Sequence, residues 1–344
     1  MLMTRRQMLG TSCLFASALD LDSCSRVSSP SRDQSSSVRD IDVVMTVGVS
    51  GLTVYEVAHA QGFFDQFNVT PNVLQVSDGG KCIAALLSGS AKICMWSGFD
   101  QLTSAIEKGA KLKILAGALN LPSLALYSAN PRVKSAQDLE GKSIGIGAVG
   151  SVLHVMTVVL LRKKGVNVGN VTFRNVGSNA DVFKAVVAKT VDAGLSDVDV
   201  FDQQSKFGVH ALPDGLLWKE IPEYTNQATY ASDTAIHENR DILVRTLAAC
   251  AKAYRFVSSP ESQDVFVKAR QKVTSVNDTQ QALTEWRWIQ GSQPYAVDLV
   301  LSDERINLIQ SINVEFKNQS QILPIASVGD MSLAKDALKL LEKS

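Results

Sequence analysis

The sequence predicts an α/β protein with two lobes, each with its own hydrophobic core. Three observations support this fold class. The chain has 344 residues, 45% of them apolar, and is therefore longer than the size at which a single core stops growing. Short β-rich runs alternate with helical patterns from residue 41 to about 195, as in βα units that build parallel sheets. From about residue 242 the pattern is helical only, which indicates helices packed around a lobe already formed.

The first block of alternating elements runs from residue 41 to about 117. Short apolar runs predict strands at 43–49, 72–76, 93–96 and 112–116. Apolar side chains at helical spacing predict helices at 55–63, 83–87 and 102–106, with Gly62, Gly89 and Gly109 at or near their C-terminal ends.

The second block repeats this outline after an extended stretch at 124–131. It predicts strands at 143–147, 171–176 and 191–195, and helices at 151–164 and 181–189. The helical remainder predicts helices at 242–257, 260–272, 279–288, 303–316 and 333–342.

The N-terminus has the pattern of an export signal. Arg5 and Arg6 precede a short apolar stretch, which resembles a twin-arginine signal. Residues 21–24, ending in Cys24, resemble a lipobox, so Cys24 is the expected lipidation site. The serine-rich residues 25–40 contain almost no apolar side chains and are expected to form a flexible tether. We therefore predict a signal at 1–24 and a tether at 25–40.

Charge and cysteine content exclude several classes of protein. Lys plus Arg equals Asp plus Glu at 34 each, so no net field attracts nucleic acid or an anionic membrane, and membrane contact is expected only through a lipid anchor. No C-x-x-C pair occurs and the histidines are scattered, which argues against a zinc site. Cys82, Cys94 and Cys250 lie in apolar patterns and are expected to be buried thiols; a bond between Cys82 and Cys94 remains open.

Residues 145–150 match the G-x-G-x-x-G pattern between a strand and a helix. A dinucleotide site, and with it a nucleotide-binding oxidoreductase, is one reading of this pattern. No acidic residue follows at the place where a ribose would be held, so we expect no cofactor. Two readings stay open: the amides before Ser151 bind an anion, or the glycines only permit a tight turn.

Five short motifs in sequence order carry a family resemblance. They are YEVAHAQGFF at 55–64, AALLSG at 84–89, AIEKG at 105–109, DLEGKSIG at 138–145 and AKTVDA at 188–193. Together they resemble the nitrate, sulfonate, taurine and thiamine-pyrimidine-precursor class of binding proteins of ABC importers, the NMT1-like class. His59 and the segment Ser90-Ala91-Lys92 depart from the usual pattern of that class.

The resemblance implies a periplasmic-binding-protein fold of type II, with two lobes, a cleft between them and two crossover strands. Extended segments at 124–130 and 227–236 fit the crossovers. We expect residues 41–126 and 232–344 to form lobe 1 and residues 127–231 to form lobe 2. The implied function is capture of a small organic solute by a monomer that delivers it to a cognate ABC permease. Within the same family, an enzyme of the thiamine-pyrimidine synthase type is the alternative.

Ligands of such folds bind beyond the carboxyl ends of the strands. The loops at these positions contain the candidate ligand-binding residues Tyr55, Trp96, Ser97, Phe99, Asn120, Gly150, Ser151, His154 and Asp197. Alternatively, His154 is a structural histidine whose hydrogen bonds are satisfied within its helix. Asp100 is expected to cap a helix. No arginine occurs in these loops, which favours a neutral heteroaromatic ligand or a mono-anionic acid over a strong anion. No metal site and no catalytic residues are expected.

Overall fold

A computed structural model describes residues 38–277 and 279–343. The predicted export signal, the lipidation site Cys24 and most of the predicted tether lie outside the described residues. The first strand begins at Arg39, within the segment expected to be the end of the tether.

Ten strands form two mixed five-stranded sheets in the described part of the chain. They are β1 Arg39–Thr46, β2 Val69–Val76, β3 Ile93–Ser97, β4 Leu112–Gly117, β5 Leu124–Ser128, β6 Ser143–Ile146, β7 Thr172–Asn175, β8 Ala193–Asp197, β9 His210–Leu216 and β10 Ala228–Ser232. The first sheet has the order β2-β1-β3-β10-β4 and the second β7-β6-β8-β5-β9. We refer to the elements packed on each sheet as lobe 1 and lobe 2.

Each sheet contains one strand, β5 or β10, that the chain forms directly after crossing from the other sheet. The chain leaves β4 of the first sheet, enters the second as β5, and returns as β10. Both strands run antiparallel to their neighbours: β5 pairs with β8 and β9, and β10 pairs with β3 and β4. The two expected crossover strands are therefore confirmed. The expected lobe boundaries, at 126/127 and 231/232, fall inside β5 and β10.

Fifteen α-helices surround the sheets in the described residues. They are α1 Val49–Ala60, α2 Phe63–Gln66, α3 Gly79–Ser88, α4 Asp100–Glu107, α5 Val152–Lys163, α6 Asn179–Val187, α7 Gln204–Phe207, α8 Leu217–Glu220, α9 Asp233–Glu238, α10 Arg240–Val257, α11 Gln263–Thr274, α12 Thr279–Ser292, α13 Asp303–Glu315, α14 Ile325–Val328 and α15 Ser332–Leu341. Short 3₁₀ segments add Ala136–Leu139, Val168–Asn170, Val198–Gln203 and Pro260–Ser262.

Local chemistry explains several helix ends. The Asp78 carboxylate accepts a hydrogen bond from the Lys81 amide and so caps α3, while Gly89 ends that helix at φ 78°, a conformation that glycine adopts without a steric penalty. Ser178 and Asp181 form a reciprocal capping box at the start of α6. These ends satisfy backbone groups that a helix cannot satisfy internally.

Both faces of the first sheet are buried, which matches its continuous apolar strands. Val43 and Met45 of β1 belong to one core cluster with α1 and α10, while Val44 points to the opposite face. The cluster on that opposite face also includes Leu126 and Ile146 of the second sheet. The two sheets therefore share one continuous hydrophobic core where the chain crosses between them.

Cys82, Cys94 and Cys250 are buried free thiols, as expected, and Cys82 and Cys94 form no disulfide. Among residues 38–277 and 279–343, no helix is both long and apolar enough to cross a membrane.

Candidate functional site

The candidate site lies where the carboxyl ends of the parallel strands of the two sheets meet. The end of β8 in lobe 2 leads into the 3₁₀ segment Val198–Gln203, which packs against α12 of lobe 1. The Val198 amide donates to the carbonyl of Ser123, at the point where the chain enters lobe 2. In folds of this kind ligands bind at these strand ends, so the side chains that converge here define the candidate site.

A group of four ionisable side chains spans the two lobes, and we call it the charged cluster: Asp197, Asp199, Arg270 and Glu285. Arg270 of α11 contacts the Asp199 carboxylate at 2.6 Å and the Glu285 carboxylate at 3.3 Å. The second oxygen of Glu285 accepts a hydrogen bond of 2.7 Å from the Ser50 hydroxyl. Asp197 accepts one of 3.0 Å from the Asn179 amide. Three carboxylates therefore face a single guanidinium.

Burial dominates the electrostatics of the charged cluster. The side chains of Arg270 and Glu285 are 7% and 3% exposed. Burial raises the pKa of Asp199 to about 7, with a further contribution from the charge of Asp197. The pKa of Asp197 is also raised by burial. Since water no longer stabilises their ionised forms, the two aspartates retain protons at a pH where exposed carboxyl groups have lost theirs.

Two further sets of contacts join the lobes beside the charged cluster. Asp202 accepts hydrogen bonds from the Thr284 hydroxyl at 3.2 Å and from Arg287 at 2.9 Å. On another side, α5 meets α13 through an ion pair between Arg162 and Glu315. Polar contacts therefore join the two lobes in more than one place.

An aromatic group adjoins the charged cluster in lobe 1, and we call it the aromatic wall: Tyr55, Trp96, Tyr254 and Tyr295. Trp96 contacts Tyr55 and Tyr254 edge-on, with ring centroids 6.4 and 6.3 Å apart. Tyr254 stacks on Tyr295 at 5.4 Å. Gly51 packs directly on Trp96, because an added Cβ would lie 2.9 Å from the Trp96 Cβ. Its neighbour Ser50 bonds Glu285, which links the wall to the charged cluster.

Three polar atoms at the aromatic wall are buried without a hydrogen-bond partner: Trp96 Nε1, Tyr254 Oη and Thr229 Oγ1. Trp96 and Thr229 both approach the Tyr254 hydroxyl, yet none of the three atoms reaches normal hydrogen-bond geometry. Trp96 also has φ 49°, which is unusual for a bulky residue. Each unsatisfied buried polar group costs about 1 to 3 kcal/mol, so their convergence requires an explanation.

The structure brings three of the predicted residues to the sites just described. Tyr55 and Trp96 belong to the aromatic wall, and Asp197 belongs to the charged cluster. Trp96 is only 1% exposed, so its ring is part of the core. Their roles as ligand contacts remain predictions.

Of four other predicted residues, Ser97, Phe99 and Asn120 are engaged within the protein, whereas the hydroxyl of Ser151 is unpaired. Ser97 is buried, and its hydroxyl accepts a 3.1 Å hydrogen bond from the Thr46 amide. Phe99 is 1% exposed and packs on the opposite face of the first sheet. The Asn120 carbonyl accepts a 2.7 Å hydrogen bond from Arg305, and the Ser151 hydroxyl is buried without a partner.

The contacts at the turn before α5 concern the two readings left open there, an anion site and a tight turn. The Gly150 amide donates to His154 Nδ1 at 3.0 Å, so one amide expected to hold an anion is already used. The His154 ring packs edge-on against Phe173 and Phe316, with centroids 4.9 and 5.9 Å away, and burial lowers its pKa. His154 therefore has the contacts of a satisfied structural histidine.

The capping role expected for Asp100 is wrong. Asp100 is the first residue of α4 rather than its N-cap, and its carboxylate accepts a hydrogen bond from the Tyr224 hydroxyl. Burial raises the pKa of Asp100. The residue joins α4 to the segment that returns from lobe 2.

Sequence reasoning missed Arg270, Glu285 and Tyr254, which come from the C-terminal helices rather than from the strand-end loops. A signal for two of them was present. Glu285 lies three residues after Ala282 and four before Ile289 on the buried side of α12, and Arg270 lies four after Phe266 on α11. A charged residue on the apolar stripe of a helix is rarely buried without a partner, so these positions indicated a buried ion pair.

A surface cavity of about 410 Å³ lies away from the charged cluster, beside β4. Lys113, which lines it, donates to the carbonyls of Ala326 and Ser327. This cavity is not the candidate site, because it lies away from the strand ends where the two sheets meet. No group of three or more His, Cys, Asp or Glu side chains is arranged to hold a metal in the described ranges.

The two sheets, their antiparallel crossover strands and the facing strand ends define a periplasmic-binding-protein fold. A family model described as NMT1/THI5 like matches residues 51–262, more than half of the chain. The chain belongs to this family, in agreement with the resemblance seen in the sequence. A comparison with curated protein sequences gives no match.

Solved structures support the same fold at low sequence identity. The periplasmic aliphatic sulphonate-binding protein SsuA from Escherichia coli is 16% identical with a TM-score of 0.68, over 84% of this chain and 91% of that one. The periplasmic nitrate-binding protein NrtA from Synechocystis PCC 6803 is 13% identical with a TM-score of 0.67, over 89% and 90%. The desulfurization enzyme DSZB is 16% identical with a TM-score of 0.61, over 87% and 99%. The fold therefore occurs in binding proteins and in an enzyme.

Proposed function

We propose that this chain is an extracytoplasmic solute-binding protein that delivers a small organic molecule to an ABC importer. The main support for this proposal is the charged cluster, in which side chains from both lobes meet at the strand ends of a binding-protein fold. Membership of the NMT1/THI5-like family and the likeness to solved sulfonate- and nitrate-binding proteins support the proposal. We further propose that the protein acts as a monomer with a cognate permease as its partner.

The arrangement suggests how capture would work. Arg270 and Glu285 belong to lobe 1, whereas Asp197 and Asp199 follow β8 of lobe 2. A solute between the lobes contacts both sets only when they are closed, so it binds the closed form more tightly and shifts the population towards it. A permease that recognises the closed form would then distinguish loaded from empty protein.

Tyr55, Trp96 and Asp197 are the predicted residues best placed for this role, with Ser97, Phe99, Asn120, Gly150, Ser151 and His154 as further proposed contacts. The expected ligand was a neutral heteroaromatic molecule or a mono-anionic acid, because the loops contain no arginine. Arg270 supplies a guanidinium from a helix, but it is already neutralised by Asp199 and Glu285. Of the two ligand types, the neutral one is therefore favoured.

We propose that the protein reaches the extracytoplasmic space by the twin-arginine route and is anchored through Cys24. Replacing both signal arginines, Arg5→Lys and Arg6→Lys, should leave the precursor in the cytoplasm, because the pair is what the route recognises. Normal secretion of the double variant would contradict the route without affecting the binding function.

An enzyme is the alternative, since DSZB shares the fold and the family description includes THI5. The eukaryotic members of the class that this sequence resembles synthesise the thiamine pyrimidine with an iron site and a cysteine-rich motif. That motif does not occur in this sequence. Titration of the purified protein with iron, followed by product analysis, separates the two functions. Bound iron with turnover would support the enzyme.

The central test is native mass spectrometry of the protein purified without denaturation, because a binding protein retains its solute through purification. We expect one small molecule per chain, released unchanged on denaturation. Small-angle scattering of the stripped protein should then show a decrease in radius of gyration when that molecule is added back. A released product that differs chemically from the added molecule would contradict a purely binding function.

A further inference from the structure

We propose that the ligand of this site is a small organic cation with N–H donors, such as an amidinium or a protonated amine, held between the charged cluster and the aromatic wall. This inference rests on the proposed binding function and replaces the neutral ligand favoured there, which was chosen between a neutral molecule and a mono-anionic acid, with a cation.

The charge balance of the site is the first observation. Asp197, Asp199 and Glu285 carry three negative charges when ionised, against the single positive charge of Arg270. The neighbouring charges cancel, since Lys272 pairs with Glu56 and Arg287 with Asp202. A buried excess of negative charge is unfavourable unless protons or a cation compensate it. Protons on Asp197 and Asp199, whose pKa values burial raises, compensate this excess when no ligand is bound, and a bound cation can take their place.

Asp197 is the open position in the cluster. Arg270 contacts Asp199 and Glu285, and its charge also acts on Asp197. No described cation is within ion-pair distance of Asp197, which accepts a hydrogen bond from the neutral side-chain amide of Asn179. The residue ends β8, where ligands bind in this fold. A cationic N–H group beside Asp197 would form the charge-assisted hydrogen bond that the protein itself does not supply.

The aromatic wall provides the second, independent observation. Trp96 is 1% exposed and Tyr254 and Thr229 are fully buried, yet their three polar atoms have no hydrogen-bond partner. Buried polar groups are almost always paired, so a ligand that reaches these three atoms would supply the partners that they do not fully provide for one another. Tyr254 stacks on Tyr295, and Tyr295 lies within the electrostatic influence of Glu285 and Arg270. The aromatic wall therefore adjoins the charged cluster.

These groups suit a cation better than an anion. The hydroxyl oxygens of Tyr254 and Thr229 can accept from ligand N–H groups, and ring faces attract cations. Trp96 Nε1 can only donate, so it is satisfied by the Tyr254 oxygen or by an acceptor atom on the ligand. An anion would instead meet three carboxyl groups and one buried guanidinium, which is already shared between Asp199 and Glu285.

The test uses three probes of nearly the same shape and different charge: benzamidine, benzamide and benzoate. Calorimetry at neutral pH with the stripped full-length protein should give the order benzamidine, benzamide, benzoate, with steps of about tenfold for a charge-assisted hydrogen bond gained or lost. Equal affinities, tightest binding of benzoate, or no binding of benzamidine up to about 10 mM, a weak-affinity limit, would overturn the proposal.

A pair of isosteric variants locates the binding. Asp197→Asn should weaken benzamidine about tenfold and leave benzamide unchanged, because only the charge at the open position is removed. Asp202→Asn is the matched control, since Asp202 lies five residues further along and pairs with Arg287 across the lobes; any effect through closure should change the affinities for benzamidine and benzamide equally. Equal effects of the two variants would contradict a site at Asp197; melting curves verify that both are folded.

Failure of this inference is distinguishable from failure of the proposed function. If benzoate or a copurified anion binds and reduces the radius of gyration, the protein is still a binding protein and only the ligand class is wrong. If no ligand copurifies and no probe binds, both proposals fail.

Discussion

Arg270 is expected to be the residue on which closure of the two lobes depends most. The change Arg270→Met keeps most of the apolar stem but removes the only cation within the charged cluster. It leaves Asp199 and Glu285 buried without their ion-pair partner. Removing one partner of a buried pair costs about 3 to 5 kcal/mol, and the low exposure of Arg270 and Glu285, 7% and 3%, places this pair in that class. We expect a loss of that size in the free energy of unfolding.

Arg287→Met is the matched control for this prediction. Arg287 also joins the lobes, through Asp202, but its side chain is 53% exposed, and exposed pairs contribute at most about 1 kcal/mol. Urea denaturation followed by tryptophan fluorescence measures both variants. At pH 5 the cost of Arg270→Met should shrink, because the orphaned carboxyl groups can take up protons. A loss for Arg270→Met no larger than that for Arg287→Met would refute the reasoning.

Three further predictions concern individual positions. Because burial raises the pKa of Asp199 to about 7, the folded protein retains a proton that the unfolded chain releases. The free energy of unfolding of the wild type should therefore decrease between about pH 4 and about pH 7, relative to that of Asp199→Asn. Parallel pH profiles of the two proteins would count against this. Trp96→Ala should cost about 3 to 5 kcal/mol as a core truncation, whereas Trp96→Phe, which removes an unsatisfied donor, should cost about 1 kcal/mol or less; equal losses in thermal denaturation would argue against that role of the indole nitrogen. Gly194→Ala should destabilise by about 1 to 3 kcal/mol, since its Cβ would lie 2.3 Å from the Val182 side chain, and an unchanged melting temperature would show that this contact relaxes freely.

Elements with strong local patterns were predictable from the sequence. Continuous apolar runs located β1, β3 and β4, and helical periodicity with glycine at the end located α3. The edge strand β9 was missed, because Pro213 and Gly215 suggest a turn. Proline is tolerated at a sheet edge, where its missing N–H leaves no ladder bond unmade. Local patterns thus predict elements whose residues agree with their surroundings and fail where position in the sheet overrides composition.

By itself the sequence determined the α/β class, the two crossover strands and the loops at the strand ends, because periodicity and family motifs are properties of neighbouring residues. Only the tertiary structure decided which charges meet. Arg270 and Glu285 lie in helices more than seventy residues beyond Asp199, and their contact with it depends on how the lobes pack. The burial that raises the pKa of Asp199 likewise arises from surroundings contributed by both lobes. Desolvation and ion pairing are set by distances in space, which no pattern of adjacent residues encodes.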